Sequence, residues 1–350
     1  MYIASALEKL SLGGNLTRPE ARGLMSELLS GRVPDDEIVA VLAAFRDKGE
    51  TFDEVAGLAE VMREQASAVL RQAGVDAEKL ADGGPLLDTC GTGGDGKGTF
   101  NVSTATALVA AAAGARVAKH GNRSISSRAG SADVLEALGV SIEIPLCRLP
   151  ECLERTGFVF LYAPHLHLAM KHVMNARRQL KGKTVFNLLG PLTNPLGASA
   201  QLAGVYDRTR TEMMARALAA GGALRAFVVA SHGGMDEISI SGPTQLSEAR
   251  DGTVTTRDIV PEQFGFSRAS GDAVGGGSAA ENAAIIRRVL DGERSAYRDM
   301  ALVNTSAALV VAGLAPDFVQ GVRLAAQAVD SGMATRTLEA LQEFTQAHCA

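Results

Sequence analysis

Gly91, Gly93, Gly94, Gly96 and Gly98 crowd the segment Asp88–Thr104, which reads DTCGTGGDGKGTFNVST. Residues without a Cβ let the backbone approach a ligand and turn its N–H groups inward, the makings of an anion nest. Two phosphate motifs nearly fit. Gly91, Gly93 and Gly96 satisfy G-x-G-x-x-G, but a dinucleotide site also needs an acid about 20 residues on to hold the ribose hydroxyls. No Asp or Glu occurs between Gly96 and Ala132. Gly91 to Lys97 matches G-x-x-x-x-G-K, yet Gly98 stands where a hydroxyl must meet Mg²⁺. What survives is a nest leading to a helix N-terminus near Asn101 to Thr104, where the dipole and free N–H groups favour negative charge. Asn101, Ser103 and Thr104 add polar side chains. Asp95 brings one carboxylate, suited to orienting loop amides, binding ribose hydroxyls or meeting a metal.

A second constellation spans Lys119 to Ser131, KHGNRSISSRAGS, with Lys119, Arg123 and Arg128 as cations beside His120, Asn122 and four serines. Both segments follow short apolar runs, so both are expected at strand carboxyl ends, where ligands bind in open α/β sheets. The combination suits a sugar with phosphates at both ends. A third element is Asp236-Glu237, after the apolar run Ala226–Ala230. Adjacent acids beside a phosphate site repel it unless a divalent cation joins them, and Mg²⁺ is the usual one. A fourth is Asn175-Ala176-Arg177-Arg178, followed by Thr184 to Pro195, TVFNLLGPLTNP. A guanidinium there can pair bidentately with a substrate carboxylate. Cys90 reads as a small buried thiol rather than a nucleophile.

These loops need elements to hold them. The chain has 350 residues, 46% hydrophobic and 21% charged, enough for a large domain plus a smaller one. A net charge of −5 argues against a general nucleic-acid or membrane-surface binder. No signal peptide or membrane span is evident, which makes cytoplasmic residence the simplest expectation. Thr17–Glu20 and Thr51–Glu54 read as capping boxes of an all-helical start, and Pro34 with three acids opens another helix. A linker rich in Ala, Asp and Gly follows, about 74–85. Beyond it, short strands alternate with helices, the pattern of a mostly parallel sheet covered on both faces. The basic segment His165 to Lys181 is expected to be helical and to pack back on the N-terminal helices. The expected class is therefore α/β: a small all-helical N-terminal domain plus a larger α/β domain with a mostly parallel central sheet flanked by helices. The expected boundaries are 1–72, joined by about 165–186, for the first. They are 73–164 and 187–350 for the second.

DTCGTGGDGKGTFNVST, KHGNRSISSRAGSADVLEALG, FNLLGPLTNP and GMDEISISGPT together resemble the anthranilate phosphoribosyltransferase family of tryptophan biosynthesis, over essentially the whole chain. The resemblance implies a cleft hinged between a helical and an α/β domain, and a homodimer. It implies Mg²⁺ as cofactor, with anthranilate and 5-phosphoribosyl-1-pyrophosphate as substrates. Carried over by motif, the donor would meet Gly91, Thr92, Gly94, Asp95 and Thr99, then Asn101, Val102, Ser103 and Thr104. The remainder of it would meet Lys119, His120, Gly121, Asn122 and Arg123, then Ser124, Ile125, Ser126, Ser127 and Ser131. Metal would fall to Ser103, Asp236 and Glu237. Anthranilate would fall to Gly91, His120, Asn122 and Arg177. Lys119, Asp95 and Arg177 are the candidate catalytic residues. Asn175-Ala176-Arg177 departs from the Pro-Val-Arg of many relatives. A pyrimidine nucleoside phosphorylase and a nucleic-acid-binding relative are the alternatives, the first disfavoured by the serine-rich tract ending at Asp133.

Overall fold

The computed structural model describes residues 2–124 and 128–349, so Ile125, Ser126 and Ser127 of the second constellation lie outside the described residues. Four helices open the chain: α1 (Tyr2–Ser11), α2 (Arg18–Leu28), α3 (Asp35–Lys48) and α4 (Phe52–Gln72). The box at Thr17 forms as its sequence predicts, with Thr17 N donating to Glu20 at 2.7 Å and Glu20 N to Thr17 Oγ1 at 3.4 Å. Only half of the second box forms. Glu54 accepts from Thr51 N at 2.7 Å, but Thr51 Oγ1 is buried without a partner. Glu54 is itself buried and is held by Leu16 N at 2.8 Å and Lys48 Nζ at 2.9 Å. It thus ties α4 to α3 and to the loop before α2 rather than serving one helix end alone. The linker carries a short helix, Ala77–Ala81, capped by Asp76, which composition had not disclosed.

Seven strands form one sheet: β1 (Leu86–Gly91), β2 (Arg116–Gly121), β3 (Phe158–Tyr162), β4 (Ala200–Gly204), β5 (Arg225–Ser231), β6 (Thr244–Arg250) and β7 (Thr253–Ile259). Their spatial order is β3-β2-β1-β4-β5-β6-β7. Strands β1 to β5 are mutually parallel and β6 and β7 add an antiparallel hairpin at one edge. The outermost strand is polar and mostly exposed, as suits a sheet edge that must resist pairing with another chain. The order reverses between β1 and β4. In such sheets the crevice at the carboxyl ends of the two strands flanking the reversal is where ligands bind.

Period-two alternation divides the core. In β5, Phe227 and Val229 face one apolar cluster, which includes the helix Val102–Ala112, while Ala226, Val228 and Ala230 face another. That second cluster is continuous with α1 to α4, so the N-terminal helices cover one face of the sheet near β4 and β5. The segment expected as one helix over 165–181 is instead broken into Ala163–Leu166, Leu168–His172 and Met174–Leu180. Lys181 (φ 50°) and Gly182 (φ 93°) end the last piece in the left-handed region. Val173 and Ala176 are buried among the N-terminal helices, as expected for a segment packing back on them.

Candidate functional site

Gly91 and Gly204 stand side by side at the carboxyl ends of β1 and β4, paired in register. Asp236 fills the space above them. A Cβ on Gly91 would lie 2.4 Å from Asp236 Oδ2, and one on Gly204 would lie 1.6 Å from Asp236 O. Asp236 Oδ2 accepts from Gly93 N at 2.8 Å, so the acidic turn after β5 is bonded directly to the glycine loop. Gly93 and Gly94 sit at φ 63° and 72°, a backbone only glycine adopts without strain. Asp95 Oδ1 accepts from Lys97 N at 3.0 Å, and its Oδ2 is buried with no hydrogen-bond partner.

Three acids therefore crowd one place. Burial, then the charge of Asp95, pushes the Asp236 carboxyl up to about 7. Burial, then Asp236, raises Glu237 well above the carboxylate range, against the pull of Lys119 and the N–H of Ser103. Such a cluster calls for a cation. Among the described residues no three His, Cys, Asp or Glu side chains make a ready metal cage. The orphaned Asp95 oxygen and the hard carboxylate donors fit Mg²⁺ held by few protein ligands and completed by substrate phosphates.

Lys119, at the end of β2, is buried and points across to β1. Its Nζ donates to Thr89 O and to Ser103 Oγ, the latter at 3.3 Å. Burial lowers its pKa, and the charges of Asp88, Cys90 and Glu237 oppose that. Asp88 is a buried acid that sequence reading passed over. It accepts from His120 N at 3.2 Å and from Asn194 Nδ2 at 2.9 Å, and burial holds its carboxyl up at about 6. Asn194 also donates to Ala118 O at 2.8 Å, so the Thr-Asn-Pro turn pins β1 to β2 just below the site. No sequence signal marked that partnership, since Asn194 reads as turn chemistry alone. Cys90 receives Gln201 Nε2 at 3.2 Å, and burial, then Asp88, raises its thiol well up, which suits packing and not nucleophilic attack.

The expected helix begins at Val102, with Asn101 at the cap position but not capping it. Asn101 Nδ2 instead donates to Ala129 O at 3.2 Å, and Asn101 Oδ1 accepts from Asn282 at 2.8 Å. Asn101 thereby joins the first loop to the second. Thr104 Oγ1 is buried in the first turn without a partner. Thr99 forms an isolated bridge to Gly275.

Not every cation of the second constellation faces the cleft. The Arg123 guanidinium is taken by Glu136 at 2.5 Å and Asp133 at 3.1 Å, over the Tyr162 ring. Arg116 lies at the opposite end of β2 from this loop, donating to Gly84 O at 2.9 Å. Asn122 and Arg128 are exposed, and Ser131 Oγ donates to Asn122 O at 3.4 Å.

Arg177 is half-buried, 5.0 Å from the Phe186 ring, and has no carboxylate partner among the described residues. Burial lowers its pKa. Arg178 is exposed. His120 Nδ1 lies 3.3 Å from Gly190 O, and its Nε2 faces His167 Nε2 at 3.2 Å. Burial drives both imidazoles toward the neutral form, to about 3 for His120 and about 4 for His167. His120 and Arg177 thus both flank the segment 185–192, giving an uncompensated cation and a neutral ring pair beside an apolar wall. That is a fitting seat for an aromatic carboxylate. His167, facing His120, and Lys183, whose Cε reaches within 3.4 Å of the Cβ position of Gly94, were missed because each lies far in sequence from the loop it meets.

Residues 83–335 match the profile described as "Glycosyl transferase family, a/b domain", and residues 4–66 match "Glycosyl transferase family, helical bundle domain". The anthranilate phosphoribosyltransferase of Pelotomaculum thermopropionicum is 47% identical over 98% of this chain and 96% of its own. The crystal structure of anthranilate phosphoribosyltransferase from Thermus thermophilus superposes with TM-score 0.86 at 41% identity, over 97% of this chain and 99% of that one. The Saccharomyces cerevisiae enzyme of the same name, solved in complex with PRPP and Mg, gives TM-score 0.86 at 26% identity, over 99% and 98% of the two chains.

Proposed function

The chain belongs to the anthranilate phosphoribosyltransferase family of glycosyl transferases, and from that premise we propose how its cleft carries out the transfer. The enzyme transfers the 5-phosphoribosyl group from 5-phosphoribosyl-1-pyrophosphate (PRPP) to the amine of anthranilate, in L-tryptophan biosynthesis. The C1–oxygen bond breaks and pyrophosphate departs with its electron pair. The amine nitrogen bonds to C1 and loses a proton, leaving N-(5-phosphoribosyl)anthranilate. The relatives give no support to a phosphorylase.

In this reading Gly91, Thr92 and Gly94 cradle the pyrophosphate, Asp95 orients the loop amides through Lys97 N and offers its free oxygen to the metal, and the helix N-terminus from Asn101 to Thr104 holds further donor oxygens with Thr99. Lys119 stabilises negative charge growing on the leaving group. The second loop contributes its backbone and Asn122. Arg123 contributes main chain only, since its guanidinium is committed to Glu136 and Asp133. Arg177 orients the anthranilate carboxylate, with His120, Asn122 and Gly91 around the ring. Ser103, Asp236 and Glu237 would hold Mg²⁺, which when bound would supply positive charge to offset that of the pyrophosphate. The aniline nitrogen is already neutral, so placement supplies most of the acceleration.

The observation that carries the reading is the bond from Gly93 N to Asp236, which brings an acidic turn and an anion nest into one site. We place the hinge between 1–72 with 165–186 and the remainder of the chain, and take the working form as a cytoplasmic homodimer. Exposed Tyr2 on α1 and Leu12 in the turn just after it supply apolar surface for a second copy. The test is the loss of anthranilate fluorescence with PRPP and Mg²⁺ present, each omitted in turn. Consumption that needs both supports the reading, and none in the complete mixture ends it.

A further inference from the structure

Lys183 belongs to no motif, yet it reaches the glycine loop. It follows the left-handed pair Lys181 and Gly182, which turns the chain back after the helix carrying Arg177. Its Cε lies 3.4 Å from the Cβ position of Gly94, and its Nζ sits 3.4 Å from the centre of the Tyr206 ring. Tyr206 is itself tied to the loop, its N–H donating to Thr92 Oγ1 at 3.2 Å. Lys183 has no carboxylate partner among the described residues and is exposed. The arrangement is an ammonium seated on an aromatic face above an anion nest, with no internal counter-charge. A cation–π seat holds such a charge in place at little cost and leaves its N–H groups free for a stronger acceptor.

We propose that Lys183 is a further donor-binding residue, which contacts the pyrophosphate of PRPP at Gly94 from the hinge side of the cleft. This rests on the reading of the site given above. One short segment then delivers two cations: Arg177 for the acceptor carboxylate and Lys183 for the donor pyrophosphate. Closing the hinge over either substrate places the cation for the other.

The experiment is steady-state kinetics on wild type, K183M and K183R, with isothermal titration of Mg-PRPP into each. K183M keeps the stem over Tyr206 and removes only the charge. Its KM for PRPP and its dissociation constant should rise about tenfold, the worth of one partly exposed charge-assisted contact. KM for anthranilate and the melting temperature should stay near wild type, and K183R should recover most of the loss. A PRPP KM within twofold of wild type in K183M overturns the proposal. So does an equal rise in both KM values with a lowered melting temperature, which marks a packing role. Wild type that binds PRPP but leaves anthranilate unconsumed refutes the function reading alone, and the titrations still judge Lys183. Wild type that does not bind PRPP refutes both.

Discussion

Asp236 rests on Gly91, its Oδ2 standing 2.4 Å from where a Cβ would be. The absence of one side chain at the end of β1 therefore decides where an acid from beyond β5 can sit. In G91A either Asp236 or the loop must move. A displacement of about 1 Å costs on the order of 100-fold in rate. We expect kcat/KM to fall by that factor while the fold survives, measured by kinetics beside a thermal melt.

The acidic cluster should be a burden without its cation. Asp95, Asp236 and Glu237 repel one another, and burial holds Asp236 and Glu237 toward the neutral form. Replacing both with amides, D236N/E237Q, removes the repulsion and keeps the shape. We expect about 1 kcal/mol of added stability in the absence of Mg²⁺, seen as a raised melting temperature, with Mg²⁺-dependent turnover abolished. Retained turnover would refute the metal assignment.

Two adjacent arginines separate cleanly. Arg177 is half-buried with no counter-charge among the described residues, whereas Arg178 is exposed. R177A should raise the KM for anthranilate by roughly 30-fold, as expected for losing a hydrogen-bonded charge partner. R178A should stay within about twofold. The comparison needs only initial rates at varied anthranilate.

The histidine pair sets a pH dependence. His167 titrates near 4 when folded because burial disfavours its cation, and near 6.5 when unfolded. Between those values the unfolded chain binds the extra proton. Stability from this group is thus complete above about pH 6.5 and is lost as pH falls toward 4, amounting to about 3 kcal/mol. Asp88 and Asp236, with raised values, act in the opposite sense. The contrast between wild type and H167Q cancels them. Urea melts at pH 7, 5.5 and 4.5 should show the variant gaining on wild type as acid increases.

Local chemistry was well written in the chain. The glycine loop, the box at Thr17 and the apolar run Ala226–Ala230 that became β5 each depend on residues within a few positions of one another, and each formed. Other features escaped. At Thr51 only the half of the box made by the Glu54 carboxylate formed, and that buried group also took Leu16 from the loop before α2 and Lys48 from α3, partners outside the box. The β6–β7 hairpin and β4 left little mark, since a five-residue strand such as β4 draws its identity from its neighbours.

The amino-acid order alone fixed which groups the site would use: backbone amides freed by glycine, cations at strand ends, and a pair of acids. Those follow from covalent identity and near-neighbour spacing. Tertiary packing decided which of them meet. The strand order reverses between β1 and β4, so Gly204, of no note in the sequence, helps seat Asp236. Packing also took the Arg123 guanidinium for Glu136 and Asp133, left Arg177 uncompensated, and brought Lys183 to Gly94. Distances across a fold depend on how elements stack, and no local pattern of residues encodes them.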